Sequence, residues 1–501
     1  MVGPDRMVRP MTLAQPNIQP AVGEPDPDGV VVNDVHSRLN RTVVDRVVIV
    51  RSTADARNAI LAAGMADKPV CVSGGRHAMG GQQFAHGGVL LDTRAYRGVR
   101  RFDRDRGLIE VESGIQWPEL IEWLVQEQAG AAQQWGISQK QTGADRLSIG
   151  GAVAANVHGR GLTLRPFVSD VESLTLIGAD GERRTCSRSE NADLFRLTCG
   201  GYGLFGFVDT VTLRLVPRHK VRRTVEIETA DRLMARFDER ITDGFAFGDF
   251  QFALDPRSPD FLRRGIFSCY KPVSNDTPIP AQQRALAPND WKQLLWLAHF
   301  DKQAAWDAYA AHYLATNGQV YWSDTHQLST YIDDYHSWLD REAQTAHPAT
   351  EIISELYVPR PALADFLAEA ADDFRAHGVD CIYGTIRLIE RDDESFLNWA
   401  KQPHACTIFN LHTHHTTKGI EHSMAAFRRL IDMAAKRQGS WFLTYHTFGT
   451  RSQLLQCYPE LPEFLRLKRR HDPDERFRSD WYQHHVALLG SVLDDADLDD
   501  K

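Results

Sequence analysis

One glycine-rich segment, residues 71–84, constrains the fold of this chain more than any other feature. It reads C-V-S-G-G-R-H-A-M-G-G-Q-Q-F and lies between two apolar runs. Glycines allow positive φ and a close approach of the backbone to a ligand, and successive N–H groups in such a turn favour phosphate oxygens. Neither a G-x-x-x-x-G-K-S/T loop nor a G-x-G-x-x-G turn that opens a helix is present. The segment therefore predicts a nucleotide-holding turn of another kind, with a ligand-free hairpin as the alternative.

Two more glycine-rich loops follow in order. Residues 142–161 read T-G-A-D-R-L-S-I-G-G-A-V-A-A-N-V-H-G-R-G, and residues 197–208 read L-T-C-G-G-Y-G-L-F-G-F-V. A single loop of this kind is weak support for a nucleotide site, whereas three in order favour one. Upstream, residues 47–50, 52–61 and 70–72 predict a strand, a helix and a strand, so that a β-α-β unit leads into the first loop.

The three loops resemble, in order and spacing, those of the FAD-linked oxidoreductases of the vanillyl-alcohol oxidase type, whose FAD domain is shared with p-cresol methylhydroxylase (PCMH). The first loop is similar to the G-x-G-H-S-x-x-G-Q loop of cytokinin dehydrogenases and sugar-alcohol oxidases, in which the histidine is bonded to the flavin 8α carbon. The resemblance implies FAD bound covalently through His77, although Arg76 replaces the usual glycine and Ala78 the usual serine. The alternative for His77 is a hydrogen bond beside a noncovalent flavin. The second loop has no cysteine for a further flavin bond.

The resemblance covers residues 43–216 well, and it also implies which residues contact the FAD. They come from the three loops and from the tail after the last predicted turn. The implied cofactor-binding residues are Ser73, Gly74, Gly75, Arg76, His77, Ala78, Gln82, Asp145, Ser148, Gly151, Ala154, Asn156, His158, Val208 and Tyr482.

The length and composition are those of a two-domain globular protein. A chain of 501 residues exceeds what one core usually serves, and its 43% hydrophobic and 25% charged residues are ordinary. The formal net charge of −9 argues against a nucleic-acid partner. Seven cysteines without a C-x-x-C motif predict free thiols in a cytoplasmic protein. No run has the length of a membrane span, and no signal peptide is recognisable.

The predicted fold class is α+β, with a PCMH-type FAD-binding domain followed by a substrate-binding cap. We predict a flexible leader at 1–40, the FAD-binding domain at 41–217, the cap at 218–455 and a C-terminal segment at 456–501. The resemblance implies that this last segment returns to the FAD-binding domain through a closing helix and a D-P-x-x-x-F turn. Alternating strands and helical patterns in the cap predict an antiparallel sheet with helices on one side.

Flavin oxidation of an alcohol or amine requires a base for the substrate proton and groups that stabilise charge beside the flavin. His446 is the first candidate for the base, because imidazole titrates near neutral pH, and Tyr445 is the second. Alternation along a strand would place only one of the two in the site. Arg387 shares a strand face with Thr385, which stands where sugar-alcohol oxidases carry a glutamate. Glu355, inside an apolar strand, predicts either a partner such as Arg387 or an acid with a raised pKa.

A histidine-rich run offers a further candidate, His412. Asn410, His412 and His414 share one strand face, so that one or two of the histidines are expected to line the cap pocket, with an exposed strand edge as the alternative. Imidazoles two apart on a strand can also share a metal ion. No third ligand at a fixed spacing is apparent, and we therefore predict no metal.

Together these features predict an FAD-dependent oxidoreductase acting on a small organic substrate. We expect an oxidase that transfers hydride from a C–OH or C–NH group to flavin N5 and is reoxidised by O2. The alternatives are a dehydrogenase with a quinone or protein acceptor, a flavin-dependent biosynthetic cyclase or synthase, and a metal-binding protein whose glycine loops are only turns. The substrate and the oligomeric state stay open at this point.

Overall fold

The computed structural model describes residues 25–26, 28–329, 332 and 334–495, and combines helices with mainly antiparallel sheets. The predicted α+β class is thereby confirmed. Within the described residues no helix is both long and apolar enough to cross a membrane. All seven cysteines lie in this part of the chain, where each is buried and outside any disulfide.

The β-α-β unit before the first glycine loop is present. Strands Arg46–Ile49 and Val70–Ser73 both pair in parallel with the central strand Val89–Asp92. Helix Thr53–Met65 connects the outer two, and the hydroxyl of Ser52 caps it by accepting a backbone N–H. Small apolar side chains at three- and four-residue spacing bury one face of this helix. The glycine loop therefore starts at the carboxyl end of a parallel strand, where open α/β sheets commonly bind ligands.

A second, antiparallel sheet holds the other two loops. Its strands, in spatial order, are Arg183–Ser187, Val171–Ile177, Phe207–Arg214, Leu108–Glu112 and Val99–Asp103. The third glycine loop leads directly into the central strand Phe207–Arg214. Five helices or helical turns accompany this sheet, namely Trp117–Glu127, Ile149–Ala155, Phe167–Asp170, Ala192–Thr198 and the previously named Thr53–Met65.

An eight-stranded antiparallel sheet lies in the region predicted to form the cap, and we call it the cap sheet. Its strands, in spatial order, are Val320–Trp322, Lys220–Thr229, Arg264–Val273, Phe247–Phe252, Cys381–Ile389, His404–His414, Ala349–Pro359 and Ser440–Trp441. Helices Leu363–His377 and Thr417–Ala435 pack on one face. Helices Pro288–Phe300 and Lys302–Ala315 contact strands of the same sheet and contribute residues to the cavity on the other face. The prediction that helices pack on only one side of this sheet is thus wrong. Helices are also present on the second face, because the cavity there is enclosed by them.

The remaining elements are short strands and helices at the edges of these layers. They are strands Pro25–Asp26, Gly29–Val32, Thr42–Val44, Trp135–Gly136 and Val216–Pro217, and helices Leu233–Thr242, Thr325–Gln327, Tyr335–Ala343, Arg360–Ala362, Arg451–Cys457, Leu461–His471 and Asp480–Asp495.

Residues 28–40, which fall within the leader predicted at 1–40, have defined structure. Residues 1–24, 27 and 496–501 lie outside the described residues. Strand Gly29–Val32 pairs with Thr42–Val44, and Asp34 is buried, where it accepts hydrogen bonds from backbone N–H groups of the turn that follows it. This turn carries His36 into contact with the first glycine loop.

The C-terminal segment contacts the parallel sheet directly. Phe477, the last residue of the D-P-x-x-x-F turn, pairs with Val70 on the edge of that sheet. The backbone N–H of Val70 donates to Arg476 O at 2.7 Å, and the N–H of Arg478 donates to Val70 O at 3.1 Å. The Phe477 ring is 1% exposed in the same hydrophobic cluster as Ile60 and Val70.

We therefore expect Phe477→Ala to destabilise the whole protein and not merely its terminus. Truncating a buried phenylalanine typically lowers the free energy of unfolding by about 3–5 kcal/mol. Urea unfolding followed by tryptophan fluorescence would measure the change, with Phe300→Ala, at a position 54% exposed, as the matched control. A Phe477→Ala midpoint equal to that of the control would show that the segment is only loosely attached.

Candidate active site

A large cavity lies between the glycine loops and the cap sheet. Its volume is about 770 Å³, within the range of small-molecule sites. Residues of all three loops line one side, and residues of the cap strands and of helices Pro288–Phe300 and Lys302–Ala315 line the other.

The first two glycine loops pack directly against each other. A Cβ atom on Gly74 would lie 2.1 Å from Ser148 Oγ, and one on Gly75 would lie 2.2 Å from Arg146 O. Arg76 adopts a left-handed φ of 59°, and its guanidinium points towards Asp92, with 3.5 Å between Nη2 and Oδ2. The glycines are thus needed for contact between loops, and the arginine that replaces the usual glycine occupies the conformation that glycine would favour.

His77 is half-buried beside a second histidine. Its Nδ1 lies 2.8 Å from Nε2 of His36. Burial first, and the neighbouring His36 second, lower the pKa of His77 well below its usual value. The imidazole is therefore neutral at physiological pH, which is the form with a nucleophilic ring nitrogen.

Three hydroxyl groups on the loop side of the cavity test whether a polar ligand fits. Ser73 Oγ, Ser113 Oγ and Thr142 Oγ1 are buried, line the cavity and have no hydrogen-bond partner within the described ranges. Buried hydroxyls are normally satisfied, so their presence indicates a site for a group rich in hydrogen-bonding atoms. FAD, with its diphosphate and its isoalloxazine edge, is such a group.

On the cap side, Glu355 forms the centre of a buried hydrogen-bond network. Its Oε1 lies 2.6 Å from His158 Nε2 and accepts from the Tyr357 hydroxyl at 2.6 Å. Its Oε2 accepts from the Tyr445 hydroxyl at 3.0 Å. The other ring nitrogen of His158 faces the carbonyl of Gly159 at 3.0 Å. Both ring nitrogens of His158 therefore face hydrogen-bond acceptors, and one of these is the Glu355 carboxylate.

The pKa of Glu355 follows from these contacts. Burial alone would raise it, but the charge and hydrogen bond of His158, followed by Tyr357, lower it to about 2. Burial and the adjacent carboxylate raise the pKa of Tyr445 well above its usual value. The site thus holds a fixed anion and a tyrosine that keeps its proton. The predicted alternative of a Glu355 with a raised pKa is wrong, and its direct partner is a histidine and not Arg387.

Arg387 lies on the same face of the cap sheet and points into the cavity. It is 6% exposed, and its Nε has no hydrogen-bond partner in the part of the chain that the structure describes. Thr385 pairs with Ile408, which pairs on its other side with Glu355. The carboxylate that is missing at Thr385 is therefore present in the same row of the sheet, two strands away.

Comparison with known proteins identifies the kind of domain that carries the glycine loops. A family model described as FAD binding domain matches residues 44–187. The chain carries an FAD-binding domain. This segment contains the first two glycine loops, the parallel sheet and most of the cavity's hydroxyl-bearing wall.

Several known proteins are similar to this flavoprotein over part or most of its length. An uncharacterized oxidoreductase, ORF5 in the fasciation locus of Rhodococcoides fascians, is 29% identical over 182 residues, 36% of this chain and 40% of that protein. L-gulono-1,4-lactone dehydrogenase of Mycobacterium tuberculosis (strain H37Rv) is 24% identical over 395 residues, 79% of this chain and 85% of that protein. Cytokinin dehydrogenase 5 of Oryza sativa subsp. japonica is 31% identical over 166 residues, 30% of each chain. The first and third matches thus span less than half of those relatives, and the comparisons confirm the resemblance to FAD-linked oxidoreductases.

Most of the residues predicted to bind the cofactor line the cavity of the flavoprotein. They are Ser73, Gly74, Gly75, Arg76, His77, Ala78, Gln82, Ser148, Gly151, Ala154, His158 and Val208.

Three predicted cofactor residues are not brought to the cavity. Asp145 forms a buried ion pair with Lys140 at 2.6 Å. The amide of Asn156 donates to Asp392 at 2.9 Å, and the hydroxyl of Tyr482 donates to a glutamate of the preceding turn. Each of these side chains has a structural partner, which their positions in the loops and tail did not reveal.

Among the predicted catalytic residues, His446 is misplaced. The strand that begins at Ser440 ends at Trp441, and a turn follows, so the assumed alternation does not extend to Tyr445 and His446. Tyr445 lines the large cavity, whereas His446 lies in a small separate space and stacks on Phe448 with 4.9 Å between ring centroids. Burial lowers the pKa of His446 to about 4. His446 is therefore neutral but cannot reach a substrate in the cavity.

His412 also lies away from the Glu355 network. Arg387, Glu355 and Tyr445 are brought together, while His412 sits further along the cap sheet beside Glu351. Sequence reasoning missed Ser113, which follows a predicted strand, and His36, which stood in the presumed leader. The only signal for Ser113 was its place at a strand end, and no local pattern marked His36.

Proposed function

We propose that the flavoprotein oxidises a C–OH or C–NH group of a small organic substrate, with FAD held by the glycine loops and linked through His77. The observation that supports this proposal most is that the loop hydroxyls and the Glu355 network line the same cavity. Loop hydroxyls suited to FAD face the Tyr445–Glu355–His158 network and the buried Arg387 across it. The FAD supplies the acceptor for the hydride.

Tyr445 is the group placed to meet the substrate's hydroxyl or amine. It donates its own proton to Glu355 Oε2, so its oxygen retains lone pairs that can accept a hydrogen bond. The fixed negative charge of Glu355 polarises the Tyr445 O–H bond and strengthens the tyrosine oxygen as an acceptor. Tyr445 thereby orients the substrate by accepting a hydrogen bond from its hydroxyl or amine.

Arg387 supplies the positive charge of the site. A guanidinium that is almost fully buried and has an unpartnered Nε stabilises a negatively charged or strongly accepting group of a ligand. This role agrees with the need for positive charge where electron density develops during oxidation.

The wall above these groups favours a substrate with an apolar or aromatic body. Trp291, Trp306, Tyr309 and Tyr313 line the cavity from two adjacent helices. Aromatic side chains of this kind provide large contact areas for apolar groups. The relatives' names point to a lactone and to cytokinins, which are respectively a hydroxylated ring and an amine.

A donor screen tests the proposal. We would supply L-gulono-1,4-lactone, a cytokinin and a set of aromatic alcohols and amines to the FAD-loaded protein. Bleaching of the flavin under anaerobic conditions reports oxidation of a donor, and oxygen uptake against dye reduction then separates an oxidase from a dehydrogenase. We expect bleaching with at least one alcohol or amine and oxygen uptake on admitting air. Redox-inert flavin with every donor would favour a biosynthetic cyclase or synthase instead.

A further inference from the structure

A second polar cluster lies on the cavity-facing side of the cap sheet, away from the proposed oxidation site. Glu351 and His412 are cross-strand partners, four residues along their strands from the row that contains Glu355. This separation corresponds to about 13 Å along a strand. His299 and His336 reach the same carboxylate from two helices.

The spacing of three atoms in this cluster matches the coordination shell of a small cation. His299 Nε2 lies 3.1 Å from Glu351 Oε1, and His412 Nδ1 lies 3.8 Å from the same oxygen. The ligand atoms of these three residues are all within 4.8 Å of one another. Bonds of about 2.0–2.2 Å in a tetrahedral site place the ligand atoms about 3.4 Å apart. The two measured separations bracket that value.

Nitrogen atoms of His299 and His412 converge on one oxygen of Glu351. Nδ1 of His299 lies 2.7 Å from the carbonyl oxygen of Leu295, which can only accept, so Nδ1 donates there. Nε2 is then the atom of His299 that can offer a lone pair to a cation shared with the Glu351 oxygen. His412 Nδ1 is a third converging atom, buried and without a hydrogen-bond partner in the described part of the chain. A single proton could bridge one of these pairs, whereas a divalent ion satisfies all three atoms.

The second oxygen of the Glu351 carboxylate is held by neighbouring side chains, as is usual for carboxylates that bind metal ions. His336 Nε2 lies 3.1 Å from Glu351 Oε2, and the Tyr335 hydroxyl donates to the same oxygen. The imidazoles of His299, His336 and His412 thus surround the Glu351 carboxylate. Glu351 and His336 line the large cavity, so the cluster adjoins it.

We propose that His299, Glu351 and His412 bind one divalent transition-metal ion of the Zn²⁺ class. Two imidazoles and one carboxylate suit Zn²⁺ and neighbouring first-row ions, while Ca²⁺ and Mg²⁺ prefer oxygen ligands. The carboxylate is the third ligand that the histidine-rich run did not reveal, because Glu351 and His299 are 61 and 113 positions away from His412 in the chain.

Zinc binding to the full-length, FAD-loaded protein tests this site. After treatment with EDTA, calorimetric titration with Zn²⁺ should show about one equivalent bound, since a three-ligand site holds one ion. His412→Gln and His299→Ala should each weaken binding by more than about 100-fold, because even outer partners of metal ligands cost about 10–100-fold when removed. His336→Ala should weaken Zn²⁺ binding by only about 10–100-fold, because His336 contacts Glu351 and is not itself a proposed ligand. His414→Ala, an exposed histidine on the same strand, is the matched control and should bind as the wild type does.

Two further measurements keep the result interpretable. Circular dichroism and flavin content show whether each variant is folded, and His412→Gln, which preserves side-chain size, substitutes for His299→Ala if that variant fails to fold. Co²⁺ in place of Zn²⁺ should give visible absorption typical of nitrogen and oxygen ligands. Wild-type protein that is folded and binds no Zn²⁺, or binding that survives His412→Gln, would overturn the proposal. Neither outcome depends on oxidation of a substrate, so the proposed function is tested separately.

Discussion

Tyr445→Phe lowers kcat/KM of the flavoprotein by about 100-fold or more, because the variant loses the oxygen that accepts the substrate's proton-bearing group. Its aromatic ring still fills the same space beside Phe442, so the loss concerns the hydroxyl alone. Steady-state kinetics with the best donor from the screen would measure the effect. The anaerobic rate of flavin bleaching would show whether the loss falls on substrate oxidation itself.

The matched control is His446→Gln, which changes the adjacent residue. His446 lies outside the large cavity, and its replacement is expected to leave kcat/KM near the wild-type value once flavin content is taken into account. A strong loss in His446→Gln together with a weak one in Tyr445→Phe would return the catalytic role to the histidine.

Glu355→Gln removes the fixed anion, and we expect it to affect both turnover and acid stability. In turnover, His158 loses its carboxylate partner and Tyr445 loses the charge that polarises it, which lowers kcat by about 10–100-fold. In stability, the pKa of Glu355 is about 2 in the folded protein against an ordinary 4.5. Because the folded pKa is depressed, this contribution is complete above pH 4.5 and is lost as the pH falls towards 2. It amounts to about 3 kcal/mol at neutral pH.

Urea unfolding between neutral and acidic pH would measure this contribution. The wild type should lose stability on acidification more steeply than Glu355→Gln. Glu421→Gln, at an exposed helical position, is the matched control and should follow the wild type. Parallel stability curves for the wild type and Glu355→Gln would mean that the carboxylate is not held as an anion in the folded protein.

Local chemistry was enough to predict the loop side of the site. The β-α-β unit and the glycine loops follow from apolar periodicity and from the backbone freedom of glycine, and both act over a few neighbouring residues. Strand alternation likewise placed Arg387 and Thr385 on one strand face, since the strand Cys381–Ile389 runs through both positions.

The errors occurred where the structure depends on contacts between distant residues. His446 was misplaced because the strand ends at Trp441, a boundary set by pairing with Tyr357 and Leu356 and not by local sequence. His36 contacts His77 across 41 positions, and no periodic pattern surrounds it. Similarly, His158 could not be assigned to Glu355, which lies 197 positions further along the chain.

The most direct test of the account is the fate of the flavin after acid denaturation. We would purify the wild type, His77→Ala and His86→Ala, an exposed histidine close to the same loop, each supplied with FAD. The account predicts that yellow colour stays with the polypeptide in the wild type and in His86→Ala, and is released from His77→Ala. Flavin retained by denatured His77→Ala would contradict the linkage, and folded wild-type protein that takes up no FAD would contradict the proposed function as a whole.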